Sequence, residues 1–272
     1  MAVDLHSHTT VSDGLLSPEE LVARAVEAGL ATLAITDHDA VDALAPARAA
    51  APPGLEILAG VELSCRVGER EAHILGYGVD PDDPDLRASL ARYARAREER
   101  ARGMVERLVE LGAPIEFAAV ERLSGGGTIA RPHVAAARVA AGHVATVDEA
   151  FKRWIGRHGP AFVDKPRVSP AEACELVRAA GGVAGLAHPG TFRRDDLIPI
   201  LVEAGMEALE VRHTEHSAAV ARHYEAMAVR MGLLPTGGSD FHGSPGHRSR
   251  LGIPAVPDAW VEALVARMGT PR

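Results

Sequence analysis

Cysteine is nearly absent: the 272 residues hold two, Cys65 and Cys174. Two thiols cannot build a disulfide framework, and both read as small buried hydrophobes. Aromatic residues make up only 4% of the chain. Alanine is abundant instead, which suits alanine-rich helices. Positive charge is in deficit, with a formal net charge of −8. That balance excludes a broad basic footprint for a DNA duplex. It leaves room for a short nucleotide held through metal ions, whose charge the count omits. No apolar run is long enough to span a bilayer, so no membrane role is expected. No basic segment followed by an apolar stretch opens the chain, so a cytoplasmic protein is expected. The length fits one large α/β domain, or a domain carrying an insertion.

Against these absences stands a set of histidines and carboxylates. His6-Ser7-His8 follows a short apolar run. On a strand, residues i and i+2 share a face, so both imidazoles project to one side. Alone, a His-x-His pair is a weak signal. Asp13, Thr36-Asp37-His38-Asp39, Glu62, His73, Ala187-His188-Pro189 and Ser239-Asp240-Phe241-His242 also lie at or near the ends of apolar runs. The recurring arrangement is a strand with a metal-ligand type of residue at its tip. His143, His158, His223 and His247 lack that placement and read as ordinary.

Ser17-Pro18-Glu19-Glu20 has the pattern of a helix start, with Ser17 as N-cap, and Gly29 is the stop. Ala31–Ile35 is a continuous apolar strand of the buried parallel kind. A helix over 40–50 and a strand over 55–63 follow. Residues 61–79 then read as a hairpin with its turn at Val67-Gly68. In that register Glu62 lies opposite His73 on one face. After Pro81–Pro84 comes a long helical stretch over 85–111, rich in arginine. Most of those arginines read as a solvated face balanced by Glu98, Glu99, Glu106 and Glu110. Further helices are expected around 116–123, 132–141 and 147–157. Alternation resumes at Ser169-Pro170, with strands over 181–187, 208–211 and 233–236 and helices over 195–204 and 217–231. Gly125-Gly126-Gly127 lacks a following Gly-Lys-Ser/Thr and reads as a loop rather than a P-loop.

About seven β/α units emerge, close to a (β/α) barrel, in which side chains at the C-terminal strand ends converge on one site. The expected division is a barrel over 1–80 and 166–272, with a helical insertion or cap over 81–165. Imidazoles and carboxylates without thiolates suit Zn, Mn or Fe acting as Lewis acid and water activator.

The motifs His6-Ser7-His8, Asp13, Asp37-His38-Asp39, Glu62, His73, Ala187-His188-Pro189 and Ser239-Asp240-Phe241-His242 resemble those of the polymerase and histidinol phosphatase (PHP) superfamily, in order and over nearly the whole chain. The resemblance implies a distorted (β/α)7 barrel with a trinuclear site of divalent Mn, Zn or Fe. It implies that His6, His8, Glu62 and Asp240 hold one ion. Glu62, His73 and His188 would hold a second, with Glu62 bridging, and Asp13, His38 and His242 a third. No catalytic side chain apart from these ligands is implied; the metals would supply a bound hydroxide. The single insertion after Gly76-Tyr77-Gly78, its arginine-rich helix and Ile129-Ala130-Arg131-Pro132-His133 resemble the branch of 3′,5′-nucleoside bisphosphate phosphatases and 5′→3′ oligoribonucleases. That implies Arg97 or Arg100, with Arg131, gripping a substrate phosphate, and His133 and His216 as further contacts. The expected substrate is a small nucleotide or the 5′ end of a short RNA. A histidinol-phosphate phosphatase on the same metals and a non-catalytic metal-bound interaction module are the alternatives. The oligomeric state is left open.

Overall fold

The computed structural model describes residues 2–164, 168–243 and 250–268. His247 and the expected boundary at 165/166 lie outside the described residues. Among them, seven strands form one sheet in sequence order: β1 (Ala2–Asp4), β2 (Leu30–Ile35), β3 (Glu56–Val67), β4 (Arg70–Tyr77), β5 (Val183–Leu186), β6 (Ala208–His213) and β7 (Leu234–Gly238). Neighbours run parallel except around β4, which is antiparallel to both β3 and β5. This reversal is the distortion of the barrel. The two ends of the sheet approach each other where Leu5 N–H donates to Gly237 O at 3.3 Å and Ser7 bridges Phe241. Gly238 allows that approach, because a Cβ there would stand 2.4 Å from His6 N.

Helices surround the sheet. α1 (Pro18–Glu27) starts as the sequence predicts: Ser17 Oγ accepts from Glu20 N–H at 3.2 Å, and Ser17 N–H donates back to Glu20 Oε2 at 2.8 Å. α2 (Leu44–Ala50) is shorter than expected. α3 (Pro84–Glu110), α4 (Phe117–Ser124), α5 (Arg131–Ala140) and α6 (Val147–Ala150) follow β4, and α6 runs on into a π turn over Phe151–Ile155. α7 (Pro170–Ala179), α8 (Pro189–Phe192), α9 (Ile198–Glu203), α10 (Ala218–Met231) and α11 (Asp258–Met268) complete the set. No helix among the described residues is long and apolar enough to cross a membrane.

Three apolar clusters hold these layers. The largest packs the helices on the outside of the sheet, including Leu21, Leu33, Val177, Leu201 and Leu209. A second lies inside, with Leu5, Leu75, Tyr77 and Val183 closed off by Leu264 of α11. The third belongs to the helices after β4, where Met104, Leu108, Val120, Val134 and Ile155 bury one another. That stretch thus has a core of its own.

The hairpin corrects one expectation. The turn is Gly68-Glu69, closed by the Val67–Arg70 pair, and Gly68 takes φ 57° there. His73 therefore pairs with Ser64, and Glu62 with Leu75. The register differs from the expected one by two residues. A shift of two preserves the face, since side chains alternate with period two. Glu62 and His73 still meet, with 2.7 Å between Oε1 and Nδ1.

Candidate metal centre and its cavity

Strand ends deliver the polar residues to one place. His6 and His8 follow β1, on either side of Ser7. Ser7 between them turns away, its Oγ donating to Ala34 O at 2.7 Å. His38 lies just beyond β2 and bridges to Glu62 of β3. His188 follows β5, while Asp240 and His242 follow β7. His188 and Asp240 adopt left-handed backbone, at φ 30° and 55°. Non-glycine residues hold that conformation only when their surroundings enforce it. Here Glu210 Oε2 accepts from His188 N–H at 2.6 Å, and Asp240 N–H donates to His6 O at 2.9 Å.

Glu62 is the centre. Its Oε1 stands 2.7 Å from His73 Nδ1 and 3.2 Å from His188 Nε2. Its Oε2 stands 3.1 Å from His38 Nδ1, 3.3 Å from His8 Nε2 and 3.5 Å from His6 Nε2. Asp240 Oδ1 lies 3.4–3.5 Å from His6, His8 and His242. Asp13 lies 3.4 Å from His242 and 3.9 Å from both His8 and His38. The nine expected ligands therefore converge. Donor atoms crowd within 4.8 Å of one another in overlapping groups: His8, Asp13, His38 and His242; His6, His8 and Asp240; His38, Glu62 and His73.

A fourth such group, His6, Glu210 and His213, escaped the sequence reading. Glu210 is fully buried and 3.0 Å from His6 Nδ1. His213 Nε2 lies 3.3 Å from Asp240 Oδ2. The available signal was a carboxylate inside the apolar run Ala208-Leu209-Glu210-Val211, since an unpaired charge there is costly. Two more buried carboxylates brace loops. Asp4 accepts from Ser239 N–H, Ser239 Oγ and Gly252 N–H. Asp37 accepts from Thr9 N–H, Thr9 Oγ1 and Ser12 Oγ.

The electrostatics fit a cation. Burial pushes the carboxyls of Glu62, Asp13 and Asp240 up, but the surrounding imidazoles outweigh it and hold all three well below the usual range. Burial pulls His8 down, yet Asp240 and Glu62 carry it to about 10. His38 is pushed down to about 3, chiefly by burial. Buried nitrogens of His6 (Nε2), His8 (Nε2) and His38 (Nδ1) face these carboxylates without a hydrogen bond. Buried polar atoms are seldom left so unless another group completes them. Imidazole lone pairs and ionised carboxylates are the donor set of Zn, Mn and Fe sites.

Above the cluster opens a cavity of about 620 Å³. Its floor includes Asp13, His38, Glu62, His73, His188 and His242, and the facing wall is Leu123, Pro132, His133, Ala136 and Val147 from the helices after β4. His133 Nδ1 accepts from Ala130 N–H at 3.0 Å, which leaves Nε2 as a donor. Both nitrogens of His216 are taken by backbone, Nε2 by Gly190 N–H and Nδ1 by Val211 O. Arg97 is buried and paired with Asp39, with a second bond to Ser64 Oγ at 3.0 Å. Arg100 bonds Val163 O through Nε at 2.8 Å, and Arg131 reaches Glu71 at 3.1 Å. Arg100 and Arg131 share the wall of a separate, smaller pocket.

The chain is similar to known proteins over most of its length. The PHP domain profile matches residues 4–117. The 5′-3′ exoribonuclease Rnm of Escherichia coli K12 is 36% identical over 247 residues, covering 88% of this chain and 84% of the relative. The 3′,5′-nucleoside bisphosphate phosphatase of Chromobacterium violaceum is 35% identical over 265 residues, covering 91% and 89%. A solved structure described as a metal-dependent phosphoesterase of Bifidobacterium adolescentis superposes with a TM-score of 0.89 at 32% identity, covering 97% of this chain and 96% of that one. Fold, site and relatives together define a phosphoesterase, a hydrolase. Within that class, the chain belongs to the PHP family.

Proposed function

We propose that this chain hydrolyses phosphate esters of small nucleotides, 3′,5′-nucleoside bisphosphates and 5′ ends of short RNA, at a centre of up to three divalent ions. One observation carries the metal reading: the two oxygens of Glu62 face different imidazoles, Oε1 toward His73 and His188, Oε2 toward His38, His8 and His6. A carboxylate so divided would bridge two ions, with Asp240 beside His6 and His8. Asp13, His38 and His242 would hold a third. Bound Mn, Zn or Fe would activate water and polarise phosphoryl oxygens. The chain's own part is to fix that donor set. Glu210 orients His6 and pins the backbone of His188.

The nucleotide reading rests on what faces the cluster. Leu123, Pro132, Ala136 and Val147 form an apolar wall for a nucleoside. His133 adds a donor, and Arg100 and Arg131 would take the second phosphate in the pocket beside it. Arg97, committed to Asp39 and Ser64, is not included. The segment over 81–165 would act as a cap that excludes water and positions the substrate. The setting is cytoplasmic. Elemental analysis of protein purified without chelator tests the centre: more than one metal equivalent is expected, and a metal-free protein with full activity would overturn the proposal.

A further inference from the structure

Beside the metal cavity lies a pocket of about 190 Å³ into which five arginines turn: Arg66 and Arg70 from the hairpin, Arg100 from α3, Arg131 from α5, and Arg157 after the π turn. Glu71 and Asp164 are the carboxylates in its wall. Five guanidinium groups against three carboxylates, Glu71 and Asp164 in the wall and Glu69 paired with Arg66 and Arg157, leave a local excess of positive charge in a chain whose net charge is −8. Such an excess, drawn from four separate stretches of chain, points to an anionic ligand.

The donors are only partly engaged. Arg131 is tied to Glu71, Arg66 to Asp164 and Glu69, and Arg157 to Glu69. The Arg70 side chain is exposed and has no hydrogen bond or ion pair among the described residues. Among the described residues the Arg100 side chain makes one hydrogen bond, through Nε, which leaves its terminal nitrogens for a ligand. Burial and the charge of Arg131 push the Arg100 guanidinium down to about 10, as expected where like charges crowd. The pocket also lies close to the metal centre. A cavity of about 180 Å³ between them shares Glu71, Thr191 and Phe192 with the arginine pocket, and His73 and His188 with the metal cavity.

One phosphate needs one or two arginines, since each fork binds it bidentately. Arg100 and Arg131 meet that need under the function proposed above, on which this inference rests. We infer that Arg66, Arg70 and Arg157 form a further subsite, for an additional phosphate covalently linked to the substrate. The phosphate has two possible sources, a second 5′-phosphate or the next phosphodiester of an oligonucleotide.

The test uses the Mn²⁺-loaded enzyme with three substrates: adenosine 3′,5′-bisphosphate, its 5′-diphosphate analogue, and a 5′-phosphorylated triadenylate. The readout is kcat/KM for each extended substrate divided by that for the bisphosphate. Arg70→Glu and Arg157→Ala are the variants, with thermal melting to show that both fold. Loss of one charge-assisted hydrogen bond lowers the ratio about tenfold or more. A fall with the diphosphate places the subsite on the 5′ side, and a fall with the triadenylate places it downstream; either supports the inference. Ratios unchanged in both variants, or equal losses on all three substrates, overturn it while the metal site and bisphosphate hydrolysis stand. A wild-type enzyme that hydrolyses none of the three overturns the proposed function, and the inference with it.

Discussion

Glu62 touches five imidazoles among the described residues. Its replacement should therefore do more harm than that of any single histidine. Glu62→Ala should lower metal content by more than one equivalent and abolish detectable turnover. Loss no greater than that of a surface control would refute the bridge. Glu210 acts one step out. Removing such an outer partner of a ligating histidine costs roughly 10–100-fold in metal affinity. Glu210→Ala should show that loss in a competition titration with a chelator, restored by excess metal. The arginines divide by what holds them. Arg97 forms a buried pair with Asp39, and removing one partner of such a pair costs about 3–5 kcal/mol. Arg97→Ala should thus appear as lost stability in denaturant unfolding. Arg131→Ala should appear in kcat/KM for a 3′,5′-bisphosphate, falling about 10–100-fold for one charge-assisted contact. The loss on a simple aryl phosphate should be smaller by that factor.

At the scale of elements, the loop between α4 and α5 makes a close backbone approach to the loop after β1, in addition to the Arg97–Asp39 and Arg131–Glu71 pairs. Thr128 N–H donates to Val11 O at 2.7 Å, and a Cβ on Gly127 would stand 2.2 Å from Thr10 O. Gly127→Ala should push that wall outward. Displacement of about 1 Å at a binding wall can cost on the order of 100-fold in rate. The expected result is a large loss of kcat/KM with metal content intact; unchanged kinetics would show that the wall plays no part. Strand order and most helix starts were legible in the sequence, because buried parallel strands are continuously apolar and Ser-Pro-x-Glu marks a helix start. The hairpin register was not, because Val67-Gly68 and Gly68-Glu69 are both acceptable turns. The error left Glu62 and His73 on one face because it was even. His6, His8, His188 and Asp240 were legible as residues at strand tips. Glu210 was not, since it sits inside the apolar strand β6; His213 closes that strand at its tip and carried the same strand-end signal as the others, which went unread.

For the whole molecule, charge, folding and metal are one linked system. Asp13, Glu62 and Asp240 have folded pKa values below their ordinary ones, so without metal they stabilise the fold above roughly pH 4 and cease to as pH falls. His8 has the opposite sign. Raised from 6.5 to about 10, it stabilises the metal-free fold fully below pH 6.5, and that contribution is lost as pH rises through about 10. Metal requires the neutral imidazole, so binding must release protons. Calorimetry of Mn²⁺ binding at pH 7.5 in two buffers of different ionisation enthalpy should show net proton release; proton uptake would contradict the assignment of His8. The central claim joins this centre to a nucleotide with two phosphates. It is tested most directly by kcat/KM of the Mn²⁺-loaded enzyme on adenosine 3′,5′-bisphosphate, adenosine 5′-monophosphate and histidinol phosphate, before and after chelation. The account predicts that the bisphosphate leads by about one to two orders of magnitude, as one phosphate–arginine contact supplies, and that chelation abolishes turnover of all three. Equal turnover of the three, a lead for histidinol phosphate, or activity that survives chelation would contradict it.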